Sequence, residues 1–304
     1  MLRVQLHLHT RKSKGKRIPT ESLIYPKKAI DFAKKAEIDA LVFTDHNTTL
    51  AYKERKSYAR KKGILLINGV EIDTLDGHLI GIGVGEGIES CLKRKVRALE
   101  AAELIKSWGG EVYIPHPFDF LGKGLGRKLK EVDGVVEVFN PLNIFGSGDE
   151  LACRLASKLG KAKAVGADAH TYETISYALT LVNSELEEDA IIKAIKNGKT
   201  KFENCRYVTW RQLKSLALER VQGSYQEIKQ RIREGWEVDE GYMILANNPL
   251  LKPLQLAALE VGIRKKESKL LDLLAGSLCY LSLLYSKLKY SRGQLSNLLL
   301  SSSL

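Results

Sequence analysis

Residues 1–204 predict an α/β protein, and two observations carry that reading. Short apolar runs alternate with amphipathic stretches, the pattern of a sheet with helices packed on its faces. About seven of the runs are strand-like, which favours a barrel whose site lies at the carboxyl ends of the strands.

The strands are expected at residues 2–8, 40–44, 64–68, 79–84, 111–114, 135–139 and 162–167. Helical spacing of apolar residues covers 20–35, 49–62, 90–108, 149–159 and 187–197. Thr20, preceded by Pro19, reads as a helix start. Strand–helix alternation of this kind implies a parallel sheet.

The pattern changes near residue 205. Residues 224–233 and 254–261 read as helical, and Asn247-Asn248-Pro249 marks a break. The division is therefore 1–204 for the α/β domain and 205–304 for a helical C-terminal region. The apolar run 270–285 is interrupted by Asp272 and Gly276 and falls short of the ~20 residues that span a bilayer. A buried or amphipathic helix is expected there, and no membrane partner.

The chain has 304 residues, a net charge of +12 and a pI near 9.4, a balance that favours anionic partners. Phosphorylated metabolites, nucleotides and nucleic acid all fit, and a plain solvated basic surface fits equally. The surplus is not confined to one region: 15 Lys+Arg oppose 9 Asp+Glu after residue 204. Cys91, Cys153, Cys205 and Cys279 form no CxxC pair, which argues against a zinc ribbon or disulfide framework. A reducing, cytoplasmic setting is expected.

Histidine placement is the sharpest feature. All six, His7, His9, His46, His78, His116 and His170, fall in the first 170 residues, each at or near a strand end. His7 and His9 alternate on one strand and so face one space. His46 closes Thr44-Asp45-His46, and Asp45 is a candidate to orient it. Glu71 and Asp73 follow Gly69-Val70, His116 sits between Pro115 and Pro117, and Asp168 alternates with His170. Imidazole nitrogen and carboxylate oxygen are the donors that Zn²⁺ and Mn²⁺ accept. Two cations about 4 Å apart can hold a phosphate between them and activate a water.

The combination His7-Leu8-His9-Thr10, Thr44-Asp45-His46, Gly69-Val70-Glu71, His78-Leu79-Ile80-Gly81, His116-Pro117 and Asp168-Ala169-His170 resembles the PHP (polymerase and histidinol phosphatase) family. The resemblance covers residues 1 to about 200. It implies a distorted (β/α)7 TIM-like barrel and a metal-dependent phosphoesterase. It also implies that His7, His9, Glu71 and Asp168 hold one cation. Glu71 would bridge to a second, held by His78 and His116, and His46 and His170 would serve a third. Zn, Mn or Fe are the candidate ions. The loop after Thr10 carries Arg11, Lys12, Lys14, Lys16 and Arg17 where the family has an aspartate or histidine. Two firm cations and a weak or empty third position are therefore expected, with Lys14 available to a phosphate or pointing into solvent.

A second basic segment, Gly122-Lys123-Gly124-Leu125-Gly126-Arg127, offers Lys123 and Arg127 to an anion or forms an ordinary loop. The expected chemistry is hydrolysis of a phosphoester by a metal-held hydroxide, with Glu71 linking the cations, Asp168 holding one, and His46 or His170 assisting the leaving alcohol. The substrate is a phosphorylated small molecule or nucleotide. A nuclease or phosphodiesterase, and a scaffold barrel without turnover, are the alternatives.

Overall fold

The computed structural model describes residues 1–13, 20–92, 94–119 and 122–233. The expected helix over 254–261, the break at 247–249, the apolar run 270–285 and Lys14 lie outside the described residues. The chain divides into two units. Among the described residues, the first comprises Met1–Ser13 and Ser22–Thr209, and the second holds Thr20, Glu21 and Trp210–Arg233. The described helix of the second unit is α6 (Trp210–Arg233). No helix among the described residues is long and apolar enough to cross a membrane.

The first unit contains one nine-stranded, nearly closed sheet. Its strands are β1 (Leu2–Leu8), β2 (Ala40–Phe43), β3 (Leu65–Asp73), β4 (His78–Ile82), β5 (Glu111–Ile114), β6 (Val135–Glu137), β7 (Lys163–Ala164), β8 (Leu179–Val182) and β9 (Thr200–Glu203). They lie in the order β7-β6-β5-β4-β3-β2-β1-β8-β9. The Thr200 hydroxyl donates to the Lys163 carbonyl (2.9 Å), joining β9 to β7. Beyond β7 the chain reaches β1, where Leu8 pairs with Ala169.

The helices are α1 (Pro26–Lys35), α2 (Leu50–Lys62), α3 (Ala98–Ser107), α4 (Ser147–Lys158) and α5 (Glu188–Lys196). Their buried faces build the core against the strands. Ala29, Ile30 and Ala33 of α1 and Ala51 and Ala59 of α2 pack with Leu8, Leu41 and Phe43. Ala101 and Ile105 of α3 and Ala152 and Ala156 of α4 pack with Leu79, Val112 and Val136. Ile191 and Ile195 of α5 join Val4, Leu6, Val42, Ile67, Ile80 and Tyr113.

The sheet is mixed, not parallel. β1–β2, β2–β3, β5–β6 and β6–β7 are parallel, whereas β3–β4, β4–β5, β1–β8 and β8–β9 are antiparallel. The physical reason is connection length. Only residues 74–77 separate β3 from β4, too few for a parallel crossover. β3 runs five residues past the expected end at Asn68, so Glu71 lies within a strand rather than after it. Gly69 allows this, because a Cβ there would sit 2.4 Å from a Val42 methyl and 2.9 Å from the Phe43 carbonyl.

The helix starting at Thr20 is not formed. Helix α1 begins at Pro26, whose fixed φ and missing N–H suit a first turn. Residues before it pair as extended chain instead: Leu23 N–H donates to the His170 carbonyl and Arg11 N–H to the Ile24 carbonyl. The expected 90–108 helix likewise shortens to α3, whose N-terminal Ala98 N–H is capped by the Asp76 carboxylate (2.9 Å).

Gln5 is the joint of the closed sheet. Its Oε1 accepts from the N–H groups of His7 (3.1 Å) and Ala167 (3.0 Å). Its Nε2 donates to the carbonyls of Ala178 (3.1 Å) and Ile175. Replacing Gln5 with Leu strands four buried backbone groups, each costing ~1–3 kcal/mol. The expected result is a loss of at least ~3 kcal/mol in urea unfolding. A loss below ~1 kcal/mol would show that these groups find other partners.

Candidate metal centre

The carboxyl ends of the strands converge on one buried cluster. His7 on β1 and His9, one residue past its end, direct their rings into one space, with Nε2 atoms 3.2 Å apart. Glu71 and Asp73 share a face of β3, and His78 opens β4 directly opposite Asp73. His46 is carried by the loop after β2, where it bridges to Glu71. His116 follows β5, and Asp168 and His170 lie beyond β7.

Glu71 stands at the centre. Its Oε1 lies 2.8 Å from His78 Nδ1 and 3.3 Å from His116 Nε2. Its Oε2 lies 3.0 Å from His9 Nε2, 3.6 Å from His7 Nε2 and 3.5 Å from His46 Nε2. Asp168 Oδ1 lies 3.4 Å from His7 Nε2 and 3.3 Å from His9 Nε2. The imidazole rings pack at centroid spacings from 4.7 Å (His9–His170) to 5.5 Å (His78–His116). Each carboxylate oxygen of Glu71 thus faces its own set of imidazoles.

Such a cluster needs a positive charge to be stable. Burial alone would raise the Glu71 pKa, but the positive potential of His46 and His78 pulls it well below the ordinary carboxylate range. Burial would also raise Asp168, which His7 and His9 hold well below its usual value. Burial would lower His7, but Asp168 and Glu137 raise it well above the imidazole norm. His78 differs: burial wins and its pKa falls.

The donors fit divalent cations. Glu71 Oε1 and His78 Nδ1 approach off the hydrogen-bond axis, and each is buried without a hydrogen-bonding partner. Two lone pairs aimed into one space are how ligands surround an ion. His7–His9–Glu71, His7–His116–Asp168, His9–Asp168–His170 and His46–Glu71–His78 each offer three ligand atoms within 4.8 Å of one another. Mixed imidazole and carboxylate donors suit Zn²⁺, Mn²⁺ or Fe²⁺.

Two of these residues hold strained backbone. His116 has φ of 27° and Asp168 of 46°, a left-handed region that costs a side-chain-bearing residue ~1–3 kcal/mol. The surrounding bonds over-determine His116: its N–H donates to Glu137 Oε2 (2.7 Å) and its carbonyl accepts from Asp119 N–H (3.0 Å).

The cluster gathers all six histidines, Glu71 and Asp168. Lys123 and Arg127 stand apart, exposed on the segment after β5. That segment meets the site through its backbone, where the Lys123 carbonyl accepts from His78 N–H (2.8 Å). The Asp45 carboxylate accepts from the Thr10 N–H (2.5 Å) and hydroxyl (2.7 Å). Asp73 is the carboxylate beside His46, its Oδ1 lying 3.0 Å from His46 Nδ1 and 3.3 Å from His78 Nε2. Glu137 and Asn140 carry no motif and sequence reasoning misses them. The only available signal is a lone acid inside the apolar run Val135-Val136-Glu137-Val138.

Relatives agree with the geometry. The PHP-associated family (PHP_C) matches residues 148–200. An uncharacterized protein of Methanocaldococcus jannaschii is 33% identical over 157 residues, 50% of this chain and 89% of that one. A 3′,5′-nucleoside bisphosphate phosphatase of Chromobacterium violaceum is 34% identical over 88 residues, 28% of each chain. Among solved structures, PsfC of Pseudomonas syringae shares the fold, with a TM-score of 0.52 at 19% identity over 72% of this chain and 98% of that one. The chain belongs to the PHP family of metal-dependent phosphoesterases.

Cations entering this cluster displace protons. Burial lowers the His116 pKa, but Glu71, Asp119 and Asp168 raise it to about 9. Without metal, His116 is protonated at pH 7 and surrenders its proton only as the pH rises through that value. Metal affinity is therefore expected to rise with pH toward about 9. Titration calorimetry at pH 7 in two buffers of different ionisation enthalpy should show at least about one proton released per chain. Zero release would mean that the imidazoles are already neutral.

Proposed function

We propose that this chain hydrolyses a phosphomonoester of a small phosphorylated molecule, a nucleotide being the favoured class, with two divalent cations bound in the buried cluster. One observation carries the reading: both oxygens of the Glu71 carboxylate face separate imidazole sets, the arrangement of a bridging ligand. The nucleotide class is supported by the relative that acts as a 3′,5′-nucleoside bisphosphate phosphatase.

His7, His9, Glu71 and Asp168 would hold one cation, and Glu71, His78 and His116 the other. When bound, the cations supply Lewis-acid polarisation of a phosphoryl group and an activated water. The chain's own groups do the rest. His170 donates Nδ1–H to the Asp168 carbonyl (2.7 Å), which leaves Nε2 to carry a proton to the departing alcohol oxygen. His46 is placed for the same task, its Nδ1 held beside Asp73. A third cation between His46 and His170 is weak or absent. Lys123 and Arg127 sit on the segment tied to His78 and attract the anionic substrate toward the mouth.

The test is a phosphoester panel of p-nitrophenyl phosphate, mononucleotides, a nucleoside bisphosphate, histidinol phosphate, short RNA and short DNA, with Mn²⁺, Zn²⁺ or chelator. Release of inorganic phosphate from a nucleotide, lost on chelation, is expected. His9→Ala and Asp168→Ala should each lower kcat/KM by ~10³-fold or more with native circular dichroism retained. Wild-type turnover in either variant would remove the cluster from the chemistry.

A further inference from the structure

We infer that Glu137, a buried carboxylate at the end of β6, is a positioning residue that locks His7 in the one tautomer able to bind a cation through Nε2. The inference rests on the proposed ligand role of His7. Four donors converge on Glu137. Oε1 accepts from His7 Nδ1 (3.0 Å) and the Tyr113 hydroxyl (2.9 Å). Oε2 accepts from the His116 N–H (2.7 Å) and Asn140 Nδ2 (2.9 Å). An ionised carboxylate is acceptor-only, so His7 must carry its proton on Nδ1. Once a cation displaces the second proton, its Nε2 lone pair faces the space shared with Glu71 and Asp168.

The same side chain reaches the other ligands. It holds the strained backbone at His116, and Asn140 Nδ2, which bonds it, also lies 3.3 Å from Asp168 Oδ2. Gly166 makes the approach feasible. A Cβ at that position would stand 2.5 Å from Glu137 Oε1 and 2.5 Å from the His7 Cβ.

The geometry distinguishes Glu137→Gln from a simple loss of packing. The new amide has one donating end, and every neighbour is a donor. Facing His116 is the worse choice, because a backbone N–H cannot become an acceptor. The amide NH2 therefore turns toward Tyr113 and His7. Tyr113 can rotate its hydroxyl, but His7 can accept only by moving its proton to Nε2. The atom aimed at the cation is then blocked, with side-chain volume unchanged. Tyr113→Phe removes a donor from the same Oε1 and leaves the tautomer alone.

The experiment measures Zn²⁺ and Mn²⁺ binding to the full chain by calorimetry, for wild type, Glu137→Gln and Tyr113→Phe. Glu137→Gln should weaken one metal equivalent by about 10–100-fold and spare the other. Tyr113→Phe should stay within about threefold of wild type, since the carboxylate that sets the tautomer remains. The proposal is overturned if Glu137→Gln binds both equivalents as wild type does, or if Tyr113→Phe loses as much. Should Glu137→Gln fail to fold, the zinc-loaded wild type decides through its long-range ¹H–¹⁵N imidazole spectrum. His7 protonated at Nδ1 supports the lock, and protonation at Nε2 overturns it. A wild-type chain that takes up no divalent ion would overturn the ligand reading beneath it, independently of Glu137.

Discussion

Six imidazoles and three carboxylates, Glu71, Asp73 and Asp168, share one mouth, and the protein must balance their charges. An isolated carboxylate in such a place would cost several kcal/mol in desolvation. Here the imidazoles surround Glu71 and keep it ionised. Several strand ends answer that requirement. β1 supplies two imidazoles, the β3–β4 hairpin supplies Glu71, Asp73 and His78, and the segments after β5 and β7 bring His116, Asp168 and His170. None of these groups would be tolerated there alone.

Beneath the mouth lies a layer of hydrogen bonds that contacts no solvent. Gln5 joins β1 to the segments that close the sheet, and Glu137 joins β1, β5 and β6. Both are buried polar side chains, and both oxygens of Glu137 and both polar ends of Gln5 are hydrogen-bonded. Their backbone partners are also the backbone of the ligands: His7 donates its N–H to Gln5, and His116 donates its N–H to Glu137. Closure of the sheet and alignment of the site are therefore one hydrogen-bonded structure.

Much of this was legible in the sequence because strand geometry has a simple period. His7 and His9 announce themselves as alternate residues; Asp168 and His170 have the same spacing but lie beyond β7, with Asp168 in the left-handed region. Strand direction was less legible, since an apolar run does not say which way its neighbour points. Asp76-Gly77 between two runs was the available hairpin signal. β8 is buried but only four residues long, and β9 is largely exposed, so it lacks the buried pattern of the central strands. Glu137 was illegible because its partners arrive from residues 7, 113, 116 and 140, a convergence created only by folding.

The hairpin divides the site unequally in chain distance. Asp73 and His78 are five residues apart and paired across the turn, whereas His7 and Asp168 are separated by 161. Bringing the distant pair together costs about 3 kcal/mol more loop-closure entropy than joining the near one. One side of the mouth is thus a local product of two neighbouring strands. The other side is complete only after nearly the whole unit has come full circle, so a chain ending before β7 keeps Glu71 among its imidazoles but lacks Asp168 and His170.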